Sequence, residues 1–90
     1  MEIGARIIVK GLVQGVGFRY FVLRKAVPLG LKGLVQNHYT GEVEIEVEGE
    51  RSMIEELIKD VRIGPRSAHV KDVAIEWGTF QNKFNEFTIA

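Results

Sequence analysis

Ninety residues, 46% of them apolar, suffice for one small core and little more. Twelve basic and twelve acidic residues cancel, so the charge balance does not favour nucleic acid or an anionic membrane, where excess Lys and Arg drive affinity. The chain has no cysteine, which removes disulfides, thiolate chemistry and cysteine metal sites together; its two histidines, His38 and His69, are too few and too far apart to suggest a metal centre.

The first residues, Met1-Glu2-Ile3-Gly4, lack the basic-then-apolar pattern of a secretion signal. No apolar run approaches the ~20 residues of a membrane helix, so a soluble cytoplasmic chain is expected. Residues 6–13 read as a strand. Ile7, Val9, Gly11 and Val13 share one face, Ile8 and Leu12 the other, which suits a central position. A helix then starts near Phe18 or Arg19, with Phe18, Val22, Ala26 and Leu29 as its buried stripe.

Between this strand and helix lies Gln14-Gly15-Val16-Gly17-Phe18-Arg19. A glycine-bearing turn that opens a helix presents several backbone N–H groups in one direction. The first four have no partner inside the helix, and the aligned peptide dipoles place about half a positive charge there. An anion such as phosphate suits that end. Gly15 and Gly17 allow backbone angles that a side chain forbids and let a ligand approach the main chain. Arg19 adds a permanently charged fork that matches two phosphoryl oxygens. On spacing alone, the stretch reads equally as a phosphate cradle and as a tight turn with a surface arginine. Three better-known phosphate motifs are excluded. No lysine follows either glycine as a Walker A loop requires, Tyr20 stands where a dinucleotide fingerprint needs a small residue, and Val13 fills the cysteine position of a Cys-x5-Arg cradle.

Pro28 cannot donate to a carbonyl four residues back, so the helix should end or bend near Val27, with Gly30 as its stop. Residues 32–38 form a second strand, and Tyr39-Thr40-Gly41 a short hairpin turn. The third strand, 42–48, alternates without a break, burying one face and carrying Glu42, Glu44, Glu46 and Glu48 on the other, where solvated carboxylates are expected. Ser52 with Glu55 reads as a capping box for a second helix over 53–61, with Ile54, Leu57, Ile58 and Val61 facing the core. Residues 62–66 read as a loop and 68–77 as the fourth strand. Val70 is out of phase with Val73, Ile75 and Trp77, a sign of a bulge. Residues 78–83 are polar and are expected to be mobile, and Phe87 and Ile89 suggest a short last strand.

The order β-α-β-β-α-β plus a terminal strand predicts one α+β domain over residues 1–90. It is the ferredoxin-like α/β sandwich, an antiparallel sheet with two helices on one face. In such a unit the first two strands run parallel with the third between them, so their carboxyl ends share an edge. That brings Asn37 to the edge that carries Arg19. An amide accepts from and donates to one water at once, so Asn37 could hold and aim a water, although a turn residue before a hairpin is the commoner role of asparagine at such a place. His38, proposed as a base, should point to the opposite face.

The motif Gly11-Leu12-Val13-Gln14-Gly15-Val16-Gly17-Phe18-Arg19 resembles the signature loop of the acylphosphatase family. Gly33-Leu34-Val35-Gln36-Asn37 is similar to its second signature, and Gly64-Pro65 with Ala68 and Val70, then Phe87-Thr88-Ile89, continue the likeness. The resemblance implies hydrolysis of a carboxyl-phosphate anhydride without metal or cofactor. It implies that Arg19, with the main chain of Gln14, Gly15, Val16, Gly17 and Phe18, holds the phosphoryl group, and that Asn37 orients the attacking water. The substrate would be a small acyl phosphate or an acyl-phosphorylated protein, and a monomer without nucleic-acid or membrane partners is expected. Leu12, Leu34 and Gln36 depart from the residues frequent in the family, at positions it does not use for catalysis. The alternative is a catalytically weak module of the same fold that binds anions or proteins. An RNA-recognition version would need aromatic and basic residues where strand three carries glutamates, and a metal-chaperone version would need paired cysteines.

Overall fold

The computed structural model describes residues 1–90. Its elements are β1 (Glu2–Leu12), α1 (Phe18–Ala26), a 3-10 turn (Val27–Leu29), β2 (Lys32–Asn37), β3 (Val43–Glu50), α2 (Arg51–Ile63), β4 (His69–Thr79) and β5 (Phe87–Ile89). The sheet runs β4-β1-β3-β2-β5. β3 lies antiparallel between β1 and β2, as the split βαβ plan requires, and β4 is antiparallel to β1. β5 pairs parallel to β2, so the sheet is mixed rather than wholly antiparallel. α1 packs on β2 and β5, and α2 on β1, β3 and β4, which is the ferredoxin-like sandwich.

Strict alternation builds the core. Ala5, Ile7 and Val9 of β1 face Val47, Ile45 and Val43 of β3 across the ladder, and all six are buried. They meet Phe18, Phe21, Val22 and Ala26 from α1 and Ile54, Leu57, Ile58 and Val61 from α2. Phe18 and Val22, at the start of α1, are among the most enclosed side chains in the chain, so the amino terminus of that helix is fixed to the sheet. Pro28 acts as expected. α1 closes at Ala26, the chain tightens into the 3-10 turn, and Gly30 ends it with φ 72°.

Several boundaries differ from the sequence reading. β1 starts at Glu2 rather than Arg6, because Glu2 to Ala5 pair with β3 although their side chains do not alternate cleanly. That pairing carries β3 on through Gly49 and Glu50 and moves the start of α2 forward. The N-cap is therefore Glu50, with no side-chain capping bond, and Ser52 lies inside the helix. The Ser52–Glu55 capping box is thus corrected; Glu55 accepts from Arg51 instead, at 3.4 Å. α2 runs on to Ile63, past the last core-facing residue, and ends where Gly64 precedes Pro65. The bulge in β4 falls where Val70 was out of phase: Lys10 pairs with Asp72 and Gly11 with Val70, leaving Lys71 as the extra residue.

The glutamate face is the larger correction. Glu44 and Glu48 are 6% and 4% exposed, not solvated. The expected mobile stretch covers Glu48, whose carboxylate accepts the backbone N–H groups of Gln81 at 2.7 Å and Lys83 at 3.1 Å. Glu44 accepts from Arg6 of β1 and from Gln36 of β2, and its Oε1 lies 2.6 Å from Nε2 of His38. Burial pushes the Glu44 carboxyl up, but the hydrogen bonds from His38, Arg6 and Gln36 and the charge of Arg6 outweigh it, so its pKa lies below the ordinary 4.5. A depressed carboxyl contributes stability that is present above the ordinary value and lost as pH falls through the folded one. Urea unfolding of wild type and Glu44→Gln is therefore expected to show a gap at pH 7 that narrows below about pH 4.5. A gap of constant size from pH 7 to pH 3 would contradict this.

Candidate active site

The site forms where β1 gives way to α1. Val13 is buried and fixes the end of the strand. Gln14 then turns its carboxamide across the sheet, where Nε2 donates to the carbonyls of His38 at 2.6 Å and Glu42 at 2.9 Å. This ties the turn before α1 to the turn after β2. Gly15 and Gly17 both sit in the left-handed region, at φ 74° and 75°. A Cβ at either would meet nothing within 4 Å, so backbone conformation, not crowding, calls for glycine; a left-handed side chain costs about 1 kcal/mol.

Gly17 is the N-cap of α1, with no side-chain cap and no acidic residue in the first turn. The first bond of the helix runs from the N–H of Phe21 to the carbonyl of Gly17 at 3.0 Å. The N–H groups from Gly15 to Tyr20 have no acceptor in the protein. A run of free donors at a positive helix end, with no carboxylate beside it, is an electrostatic setting for an anion.

These residues open onto a cleft of about 190 Å³ lined by Val13, Gly15, Gly17, Phe18, Arg19, Tyr20, Asn37 and Ile89. Arg19 reaches it from the first turn of α1. One of its Nη atoms donates to the main-chain carbonyl of Ala90 at 3.0 Å, while the N–H of Ala90 bonds Val35 at 2.9 Å. The β5 edge thus steadies the guanidinium and leaves its other N–H donors free. Asn37 lies at the end of β2, exposed, and its carboxamide has no hydrogen-bond partner in the protein.

Of the six residues expected in the cradle, Gly15, Gly17, Phe18 and Arg19 line this cleft, and Asn37 joins them. Gln14 and Val16 do not. Gln14 is a staple between turns, and the side chain of Val16 packs against the core. The His38 ring lies beside Glu44 on the opposite face, as strand alternation predicts. The sequence reading missed Tyr20 and Ile89 as cleft walls. Tyr20 stands next to Arg19 on α1, a signal that was available. Ile89 reaches the cleft only through the parallel pairing of β5 with β2, which no local pattern encodes. Leu12, Leu34 and Gln36 all lie outside the cleft. A larger hollow, about 280 Å³, lies on the open face, but there Glu46, Glu48 and Glu76 outnumber Arg6 and Lys83, and Lys83 is already paired with Glu46, so the charge balance does not favour a phosphoryl group.

The acylphosphatase family model matches residues 5–89. An acylphosphatase of Moorella thermoacetica is 51% identical over 73 residues, which cover 81% of this chain and 78% of that protein. One from Chlorobaculum tepidum is 43% identical over 83 residues, covering 92% and 90%. Among solved structures, an acylphosphatase from Bacillus subtilis superposes with a TM-score of 0.94 at 36% identity, over 98% of each chain.

Proposed function

The chain belongs to the acylphosphatase family, a hydrolase of carboxyl-phosphate anhydrides, and we propose that Arg19 and the main chain of residues 15–19 hold the phosphoryl group while Asn37 aims the attacking water. The supporting observation is that Gly15 and Gly17 to Tyr20, whose amides have no partner, line one small cleft together with Asn37, whose carboxamide is unpaired, and that Arg19 among them carries the guanidinium.

In this reading the phosphoryl oxygens rest on the N–H donors at the head of α1, and Arg19 neutralises the charge that develops on them. The water oxygen bonds to phosphorus, and the bond from phosphorus to the acyl oxygen breaks with its electron pair. The leaving carboxylate needs no proton, so the reaction does not demand a general acid. Asn37 cannot act as a base; a phosphoryl oxygen of the substrate takes the proton of the water. Positioning and charge stabilisation then carry the catalysis, which suits phosphoryl transfer.

We further place residues 1–90 as one domain that acts as a cytoplasmic monomer on a small acyl phosphate or an acyl-phosphorylated protein. No helix is long and apolar enough to cross a membrane. The test is hydrolysis of benzoyl phosphate in ¹⁸O-labelled water with a chelator present. The label is expected in phosphate, with turnover unchanged by the chelator. Label in benzoate, or activity lost to the chelator, would contradict the mechanism.

A further inference from the structure

We infer that His38 is a positioning residue for the reaction: its ring, held by Glu44 on the open face of the sheet, fixes the strand end that presents Asn37 to the cleft. The inference rests on the role proposed for Asn37 above.

Asn37 is the last residue of β2, where a strand frays most readily, and its carboxamide has no protein partner to hold it. Its aim therefore depends on how firmly the neighbouring backbone is held. The next residue, His38, is tied on every side. Its N–H donates to Glu42 at 2.8 Å, and its carbonyl accepts from Gly41 at 3.0 Å and from Gln14 at 2.6 Å. Its ring lies 2.6 Å from a Glu44 carboxylate oxygen. An ionised carboxylate only accepts hydrogen bonds, so Nε2 of His38 carries the proton and donates it.

Glu44 is a rigid anchor. It is buried in the middle of β3, with Arg6 and Gln36 bonded to the same carboxylate from the strands on either side. Side chains alternate faces along a strand, so an anchor on the open face through His38 sets the direction of Asn37 on the other. The carbonyl of His38 also receives Gln14, so one residue links the cradle turn to the water-aiming strand end. A displacement of about 1 Å in a positioning group can cost ~10²-fold in rate.

The experiment compares His38→Leu, which keeps bulk but has no donor, with His38→Gln, whose amide N–H can still reach Glu44. The His38 side chain is 34% exposed and makes one side-chain hydrogen bond, so its replacement leaves the core intact. His38→Leu is expected to lower kcat for benzoyl phosphate roughly tenfold. KM and the Kd for inorganic phosphate should stay within about twofold, because both variants keep the main-chain carbonyl that receives Gln14 and leave Arg19 unchanged. His38→Gln should recover most of the lost kcat. Normal kcat in His38→Leu would overturn the inference and leave the Arg19 assignment standing. A loss that His38→Gln fails to restore, or a rise in KM that matches the fall in kcat, would also overturn it, since either marks general loosening rather than lost aim.

Discussion

Arg19→Ala is expected to lower kcat/KM for benzoyl phosphate by ~10²–10³-fold, about 2.7–4 kcal/mol of transition-state stabilisation. Arg19 is the only lysine, arginine or histidine lining the cleft, so no neighbouring cation substitutes for it. Charge on the phosphoryl oxygens is present in the ground state and shifts during transfer, so both KM and kcat should suffer. Arg19→Lys should restore only part of the activity. An ammonium offers a point charge, whereas the guanidinium presents a planar fork already steadied by the Ala90 carbonyl. The bond to Ala90 is exposed, so its loss should leave the thermal midpoint nearly unchanged. Wild-type kinetics in Arg19→Ala would refute the assignment.

Asn37→Ala should separate the two parameters. The expected result is a fall in kcat of ~10²-fold with KM and phosphate affinity close to wild type, because a group that acts only on the water contributes in the transition state alone. The fold should not notice the change, since the carboxamide is exposed and bonded to nothing in the protein. Asn37→Asp is the sharper companion. The side chain keeps its size, but at neutral pH its carboxylate faces an incoming phosphoryl group, so KM should rise as well. Equal losses in Asn37→Ala and Asn37→Asp, shared between kcat and KM, would show that Asn37 contributes to binding rather than to aim.

Most of the fold was legible because its elements have clean periods. The core-facing Val43, Ile45 and Val47 of β3 and the stripe Ile54, Leu57, Ile58 and Val61 lie as expected. The extensions at Glu2, Glu50, Ile63 and Thr79 were not legible, since they rest on ladder and helix hydrogen bonds made by residues whose side chains carry no pattern. The buried glutamates were misread for a related reason. Alternation says which face a side chain occupies, not what lies above it, and the cover over Glu48 comes from residues more than thirty positions away.

The site divides along the same line. Gly15, Gly17 and Arg19 are adjacent in sequence, and local chemistry alone suggests what they do. Asn37 needed the topology of parallel β1 and β2 to bring it to the same edge. Gln14 belongs to the motif, yet its side chain serves the scaffold; spacing cannot distinguish a residue that touches a ligand from one that holds the loop. Ile89 depended on β5 pairing beside β2, a long-range contact with no local signal.

The central claim concerns where the phosphoryl group rests, and a titration reads it directly. Inorganic phosphate added to ¹⁵N-labelled protein should shift the backbone amides of residues 15–20, the Arg19 side-chain Nε–H and the Asn37 carboxamide along one saturation curve, and the backbone shifts should largely vanish in Arg19→Ala. Saturable shifts on the open face around Lys83, with the 15–20 amides unmoved, would contradict it.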